Sequence, residues 1–214
     1  MNPTTSHNPT RRELLRLAGF GALWATLGAP LASWAASATT SRYVFALRGD
    51  GKVAVIDSAD DALVKVIETG GKGGTLGSLT RDGSRLFVAN AASGQTTVSL
   101  IDAQNLTLIK NIELGNMPKH PVVSPDGAVV AVNNWGLDGQ AFRVPFLSPN
   151  DGAVLAVAEV PVSTTDVKGP VSMHGSWSPD GALYAIGNYV DNTAVFIARQ
   201  GKIVATVPTP GNPH

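Results

Sequence analysis

Chemistry in this chain rests first on three histidines, His120, His174 and His214, because all three fall at one position of a repeat. His120 lies four residues before Ser124 and His174 four before Ser178, while His214 follows Gly211-Asn212-Pro213 much as His120 follows Gly115-Asn116-Met117-Pro118-Lys119. In the unit before them the equivalent residue is Leu76. Neutral imidazole is a good ligand for Zn, Cu, Fe or Ni. One reading is therefore a metal or cofactor site built from His120, His174 and His214, with haem among the candidates. The other is that duplication copied one histidine along with its repeat, each ring bonding a backbone carbonyl where strands crowd. No carboxylate stands beside these histidines in sequence to orient a ligating ring.

The elements that must position these rings are read from the repeat. Leu79-Thr80-Arg81-Asp82-Gly83 through Asn90, Val123-Ser124-Pro125-Asp126-Gly127 through Asn133, and Trp177-Ser178-Pro179-Asp180-Gly181 through Asn188 align. Each is a strand end, a turn on Asp-Gly, a β-rich run and an asparagine. Glycine after aspartate supplies the positive φ of a tight turn. Further strands are expected at Val53–Asp57, Val98–Asp102 and Thr193–Ile197, and again at Val64–Ile67, Leu108–Ile112, Val154–Val157 and Ile203–Val207. Asp57 to Asp102 spans 45 residues and Asp82 to Asp126 spans 44, while Asp126 to Asp180 spans 54. The third unit thus carries about ten extra residues, placed at 135–140 or 163–169. A period near 45 with four short strands is propeller spacing. The first strand of each blade is expected innermost, which points the repeat histidines at one mouth of a central channel.

Trp177, next to Ser178-Pro179, is expected to pack between blades, Tyr189 to lie near a strand end, and Trp135 is a candidate for lining a binding surface. Asp57, Asp102, Asp82, Asp126 and Asp180 are expected to serve turns. Gly70–Gly74 reads as a blade connection because no helix follows it to cradle a phosphate. No GxSxG, HExxH, P-loop or EF-hand pattern occurs, and no catalytic constellation emerges.

The chain has no cysteine, which excludes thiolate metal sites and c-type haem attachment. Residues 1–38 hold Arg11-Arg12, an uncharged apolar stretch from Leu17 to Leu31, and Ala36-Ser37-Ala38, an A-x-A cleavage pattern. Without that segment 13 basic and 15 acidic residues remain, a balance that excludes nucleic acid and anionic lipid as electrostatic partners. The apolar stretch is short and interrupted by Gly19, Gly21, Gly28 and Pro30, so no stable membrane anchor is expected. The segment resembles a twin-arginine signal, with Arg11, Arg12, Ala36 and Ala38 as its marks, and implies export to the bacterial periplasm.

The unit built from Gly115-Asn116-Met117-Pro118-Lys119-His120, Ser124-Pro125-Asp126-Gly127, Val88-Ala89-Asn90 and Ile101-Asp102 resembles the YVTN-type propeller repeats, related to the propeller of cytochrome d1 nitrite reductases. Counting strands over residues 39–214 gives an all-β domain of about three and three-quarter four-stranded blades, and the resemblance implies that they are part of a seven- or eight-bladed ring. Three accounts of the open ring stay in play: a truncated longer protein, completion by a second copy or another subunit, or a lone arc. The expected role is an exported binding or scaffold module for a protein or small-molecule ligand. In the related d1 propeller histidines contact haem, which makes a haem- or metal-binding oxidoreductase component the alternative; no cofactor is named by the sequence.

Overall fold

The computed structural model describes residues 42–74, 76–211 and 213. These lie in the second of two units into which the chain divides, Ala38–His214. The signal residues Arg11, Arg12, Ala36 and Ala38 lie outside the described residues, and so does His214.

Fifteen strands form four antiparallel sheets. Blade 1 has three: β1 (Tyr43–Arg48), β2 (Lys52–Asp57) and β3 (Ala62–Glu68). Blade 2 comprises β4 (Gly77–Leu79), β5 (Arg85–Ala89), β6 (Thr97–Asp102) and β7 (Thr107–Glu113). Blade 3 comprises β8 (Pro118–Val123), β9 (Val130–Asn134), β10 (Ala141–Leu147) and β11 (Val154–Pro161). Blade 4 comprises β12 (Gly175–Trp177), β13 (Leu183–Asn188), β14 (Thr193–Ala198) and β15 (Ile203–Pro208). Strands neighbour one another in chain order within every sheet, and no helix occurs among the described residues. The first strands β4, β8 and β12 touch across blades, which makes them the inner ones.

The Asp-Gly turns have one construction. The carbonyl of Ser124 accepts the Gly127 amide at 2.8 Å, and Gly127 takes φ +75°. The Asp126 carboxylate accepts the Ser124 hydroxyl at 2.6 Å and the Ala128 amide at 3.1 Å. Thr80–Asp82–Gly83 and Ser178–Asp180–Gly181 repeat this, so only the glycine carries the left-handed backbone while the aspartate ties amides and hydroxyl together. Asp57 and Asp102 cap the next turn, accepting from Ala59 and from Gln104 and Asn105.

The outer strand of every blade is bulged at one register, between Val55/Ile56, Leu100/Ile101, Phe146/Leu147 and Phe196/Ile197. A bulge raises local twist, and its recurrence gives the four blades a common shape. Three apolar clusters fill the three junctions. Val53, Val55, Leu86 and Ile101 join blades 1 and 2; Phe87, Leu100, Val130 and Leu147 join 2 and 3; Phe146, Val144, Tyr184 and Ile197 join 3 and 4. Polar ties cross the same junctions. Asn111 donates to the Thr69 carbonyl at 2.9 Å, and Arg199 bridges to Asp126 at 2.7 Å.

One sequence expectation is corrected and another is located. The repeat asparagine of blade 3 is Asn134, eight residues after Asp126, as Asn90 follows Asp82 and Asn188 follows Asp180; Asn133 is an additional one. Most of the extra residues of the third unit fall in the connection from Pro161 to Gly175, thirteen residues against four between Glu113 and Pro118. Two more lie in the hairpin around 135–140, since Val130 pairs with Leu147 seventeen residues on while the equivalent Leu86 pairs with Ile101 fifteen on.

Candidate functional site

The site is assembled where the inner strands of blades 3 and 4 begin. Pro118 opens β8 and a register shift follows it, so that His120 comes to stand opposite Asn133 on β9. His174 immediately precedes β12. The Asn133 side-chain amide donates to the Met173 carbonyl at 3.0 Å and so fixes the backbone leading into His174. The two imidazoles meet edge to face, centroids 5.3 Å apart at 81°.

Gly175, next to His174, makes room for the Tyr184 ring. A methyl group there would stand 2.3 Å from the Tyr184 hydroxyl. The neighbouring Lys119 places its ammonium 4.1 Å from the centre of the Trp135 ring, a cation–π contact. Burial lowers the Lys119 pKa. His120 is also held below its ordinary value, first by burial, then by His174 and Lys119. It is therefore a neutral imidazole near pH 7, and its Nδ1 is buried with no hydrogen-bond partner.

Sequence reading placed His120, His174 and His214 at one mouth. The structure brings His120 and His174 together, and His214 lies outside the described residues. Two imidazoles fall short of the three or four protein ligands of a zinc site, and among the described residues no group of three His, Cys, Asp or Glu is placed to hold a metal ion. The pair can donate and accept hydrogen bonds and offer imidazole nitrogens to a ligand that brings the rest of its own coordination.

Trp177 packs between blades, 5.9 Å from Phe146 and 5.2 Å from Tyr184, with its indole N–H donating to the Val122 carbonyl. Trp135 carries the ammonium of Lys119, the residue before His120. Asn133 and Gly175 were missed as site residues. Asn133 was absorbed into the repeat by a one-residue misalignment, and Gly175 carries no signal outside three dimensions.

A groove of about 300 Å³ opens beside His174, lined by Ser176, Ala185, Gly187, Ala194 and Pro213. It lies on the side of blade 4 turned away from blade 3. A Cβ on Gly187 would meet the Pro213 carbonyl at 2.4 Å, so the chain lies directly on the sheet there.

No family model matches the chain, and no curated protein matches it either. Among solved structures it is similar to hydrazine synthase of Kuenenia stuttgartiensis, a protein containing a β-propeller, with a TM-score of 0.59 and 18% identity. The match covers 80% of this chain and 60% of that one. The chain is a run of propeller blades. At this identity the likeness speaks for architecture alone, and propellers host many unrelated functions.

Proposed function

We propose that this chain is an exported, YVTN-type propeller that acts as a binding and scaffold module, presenting the mouth between blades 3 and 4 to a small ligand or partner protein. The observation that carries it is the convergence of His120, His174 and the Lys119–Trp135 pair at the start of two adjacent inner strands. The turn carboxylates Asp57, Asp82, Asp102, Asp126 and Asp180 are engaged by their own turns and leave the mouth as the polar, aromatic surface of the inner strands. Propeller blades offer loops at such a mouth on a rigid scaffold. The Arg11-Arg12 segment and its Ala36-Ser37-Ala38 end support delivery to the periplasm by the twin-arginine route.

The test is site-specific photo-crosslinking in the producing cell. A benzophenone amino acid at Trp135 yields an adduct of defined mass, and the same group at Leu155, on the outer strand β11, yields none. Absence of a discrete adduct at Trp135 in folded, exported protein overturns the reading. Replacing Arg11 and Arg12 together by lysine keeps the full-length precursor in the cytoplasm; unchanged periplasmic recovery overturns export by this route.

A second reading has the His120–His174 pair behind it together with the cytochrome d1 resemblance: a haem- or metal-binding oxidoreductase component. Both imidazoles would then serve as ligands or as hydrogen-bond donors to the group. Visible absorbance and metal analysis of the protein as isolated decide it, since a colourless, metal-free and folded protein ends this reading.

A further inference from the structure

The two end blades each carry one uncovered face, and the two faces are of opposite kinds. Every internal junction packs the trailing face of one blade on the leading face of the next. On the leading side, one row crosses each sheet at the same register: Leu86–Ile101 in blade 2, Val130–Leu147 in blade 3 and Tyr184–Ile197 in blade 4. All six residues are 4% exposed or less. The same row in blade 1 is Val44–Ile56, extended to Leu63. Val44 is 53% exposed and Leu63 is 62% exposed. The residues are as apolar as their counterparts, and among the described residues no blade precedes them.

The trailing side shows the reciprocal pattern. Phe87–Leu100 and Ala131–Phe146 are fully buried between blades, whereas their counterpart in blade 4, Ala185–Phe196, is only half-buried. Pro213 lies over Gly187 on this open face, close to where Met173 meets Asn133 one blade earlier. Along β1, the edge away from β2 has no strand beside it among the described residues, whereas blades 2, 3 and 4 each have an inner strand there.

We propose that a second copy of this chain closes the arc, blade 4 of each protomer packing on blade 1 of the other, to give an eight-bladed ring with its two-fold axis along the channel. The match is one of face to face: the one open leading face and the one open trailing face belong to the same series as the three junctions already formed. Two heterologous contacts related by a half-turn close on themselves, and eight blades lie within the range of known propellers. Neither open row carries a charge, and Arg48, Lys52 and Glu68 stand at the far end of the blade 1 face, where Lys52 and Glu68 pair with each other. Three strands ~4.8 Å apart and six residues long at ~3.3 Å each give a face of about 290 Å². Four such faces in two junctions bury about 1,150 Å², above the roughly 1,000 Å² that a specific interface needs. The inference rests on the ring-forming reading of the fold, and the junction would also cover the groove beside His174 that Ala185, Gly187 and Ala194 line.

Light scattering on the full chain, purified from the producing cell, is expected to give twice the mass that denaturing mass spectrometry assigns to the polypeptide. Val44→Glu and Phe196→Glu each halve that mass. Mixed together they associate more than either does alone, though more weakly than the wild type, because one of the two junctions then joins wild-type faces. Ile109→Glu, on the outer strand β7, leaves the dimer intact. A wild-type monomer, a dimer indifferent to Val44→Glu, open-ended polymers, or a different chain co-purifying at equal stoichiometry each overturn the proposal, and so does a longer polypeptide that supplies the other blades itself. Should both variants unfold, amide exchange of β1 in the wild type decides: protection that rises with protein concentration supports the contact, and protection that does not overturns it. A variant such as His120→Ala leaves the mass unchanged, so failure here and failure of ligand binding are told apart.

Discussion

Tyr184 offers a test of the blade 3–4 junction in which removing a group strengthens the protein. Its ring is fully buried, 5.2 Å from Trp177 and 6.2 Å from Phe146, and its hydroxyl has no hydrogen-bond partner. An unsatisfied buried hydroxyl costs about 1–3 kcal/mol. Tyr184→Phe keeps the ring contacts and leaves a void the size of one oxygen, which returns part of that gain. The net expectation is a stabilisation of about 1 kcal/mol, or ~2–4 °C in Tm for a domain of this length. Alkaline behaviour sharpens the test. Burial pushes the phenol above its ordinary value of 10.0. The folded value then exceeds the unfolded one, so the neutral phenol's contribution is complete below about pH 10 and is lost as pH rises. This group alone removes about 1.4 kcal/mol per pH unit above that point, and Phe removes the loss. Urea unfolding at pH 7 and at pH 10.5–11.5 measures both. A phenylalanine variant destabilised by more than about 1 kcal/mol at pH 7, or one with an unchanged alkaline slope, refutes the argument.

Three further outcomes are expected. Gly175→Ala drives a methyl group to 2.3 Å from the Tyr184 hydroxyl and costs about 1–3 kcal/mol in chemical unfolding; an effect under about 0.3 kcal/mol would mean the strand moves freely. His120 titrates below its ordinary 6.5 in a histidine NMR series, because burial, then His174 and Lys119, disfavour its cation. The depressed value makes its contribution to stability present above about pH 6.5 and lost as pH falls; His174→Ala raises the midpoint, and an unmoved midpoint removes the pairing. The Asp126 carboxylate is held well below its ordinary 3.8 by the Ser124 hydroxyl, then by Arg199. Asp126→Asn therefore narrows the gap between urea midpoints at pH 7 and pH 3, and an equal gap in both proteins contradicts it.

The blades were legible because their signals are local. Asp-Gly with a Ser or Thr two residues earlier specifies a turn that needs no distant partner, and it recurs as Thr80–Gly83, Ser124–Gly127 and Ser178–Gly181. The strand β10 carries Pro145 and no Asp at its end, so the repeat pattern that marks Val98–Asp102 passes over it. The long connection after Pro161 has no hydrophobic period to read, and the sequence left its place open between two segments. For the site, register alone placed His120 and His174 together. Asn133 escaped because its role is a hydrogen bond to Met173, forty residues away in the chain, and the Lys119–Trp135 contact spans two strands whose inner ends meet only in the fold.

Repetition also explains why stability and binding are distributed as they are. In a repeat fold each unit is stabilised mainly by its neighbours, and here the unit of stabilisation is a junction, not a blade. Val44 and Leu86 are equivalent apolar residues on equivalent strands, and they differ from 53% to 4% exposed because one has a blade before it. The imidazole pair obeys the same rule: His120 comes from blade 3 and His174 from blade 4, so neither blade alone contains the mouth. Any step that adds a junction adds both a buried apolar cluster and a new place where inner-strand residues meet. Chemistry and cohesion are thus tied to the same register, and a charge at Val44 or Phe196 that blocks a junction leaves the His120–His174 mouth, two blades from one open face and one from the other, in place.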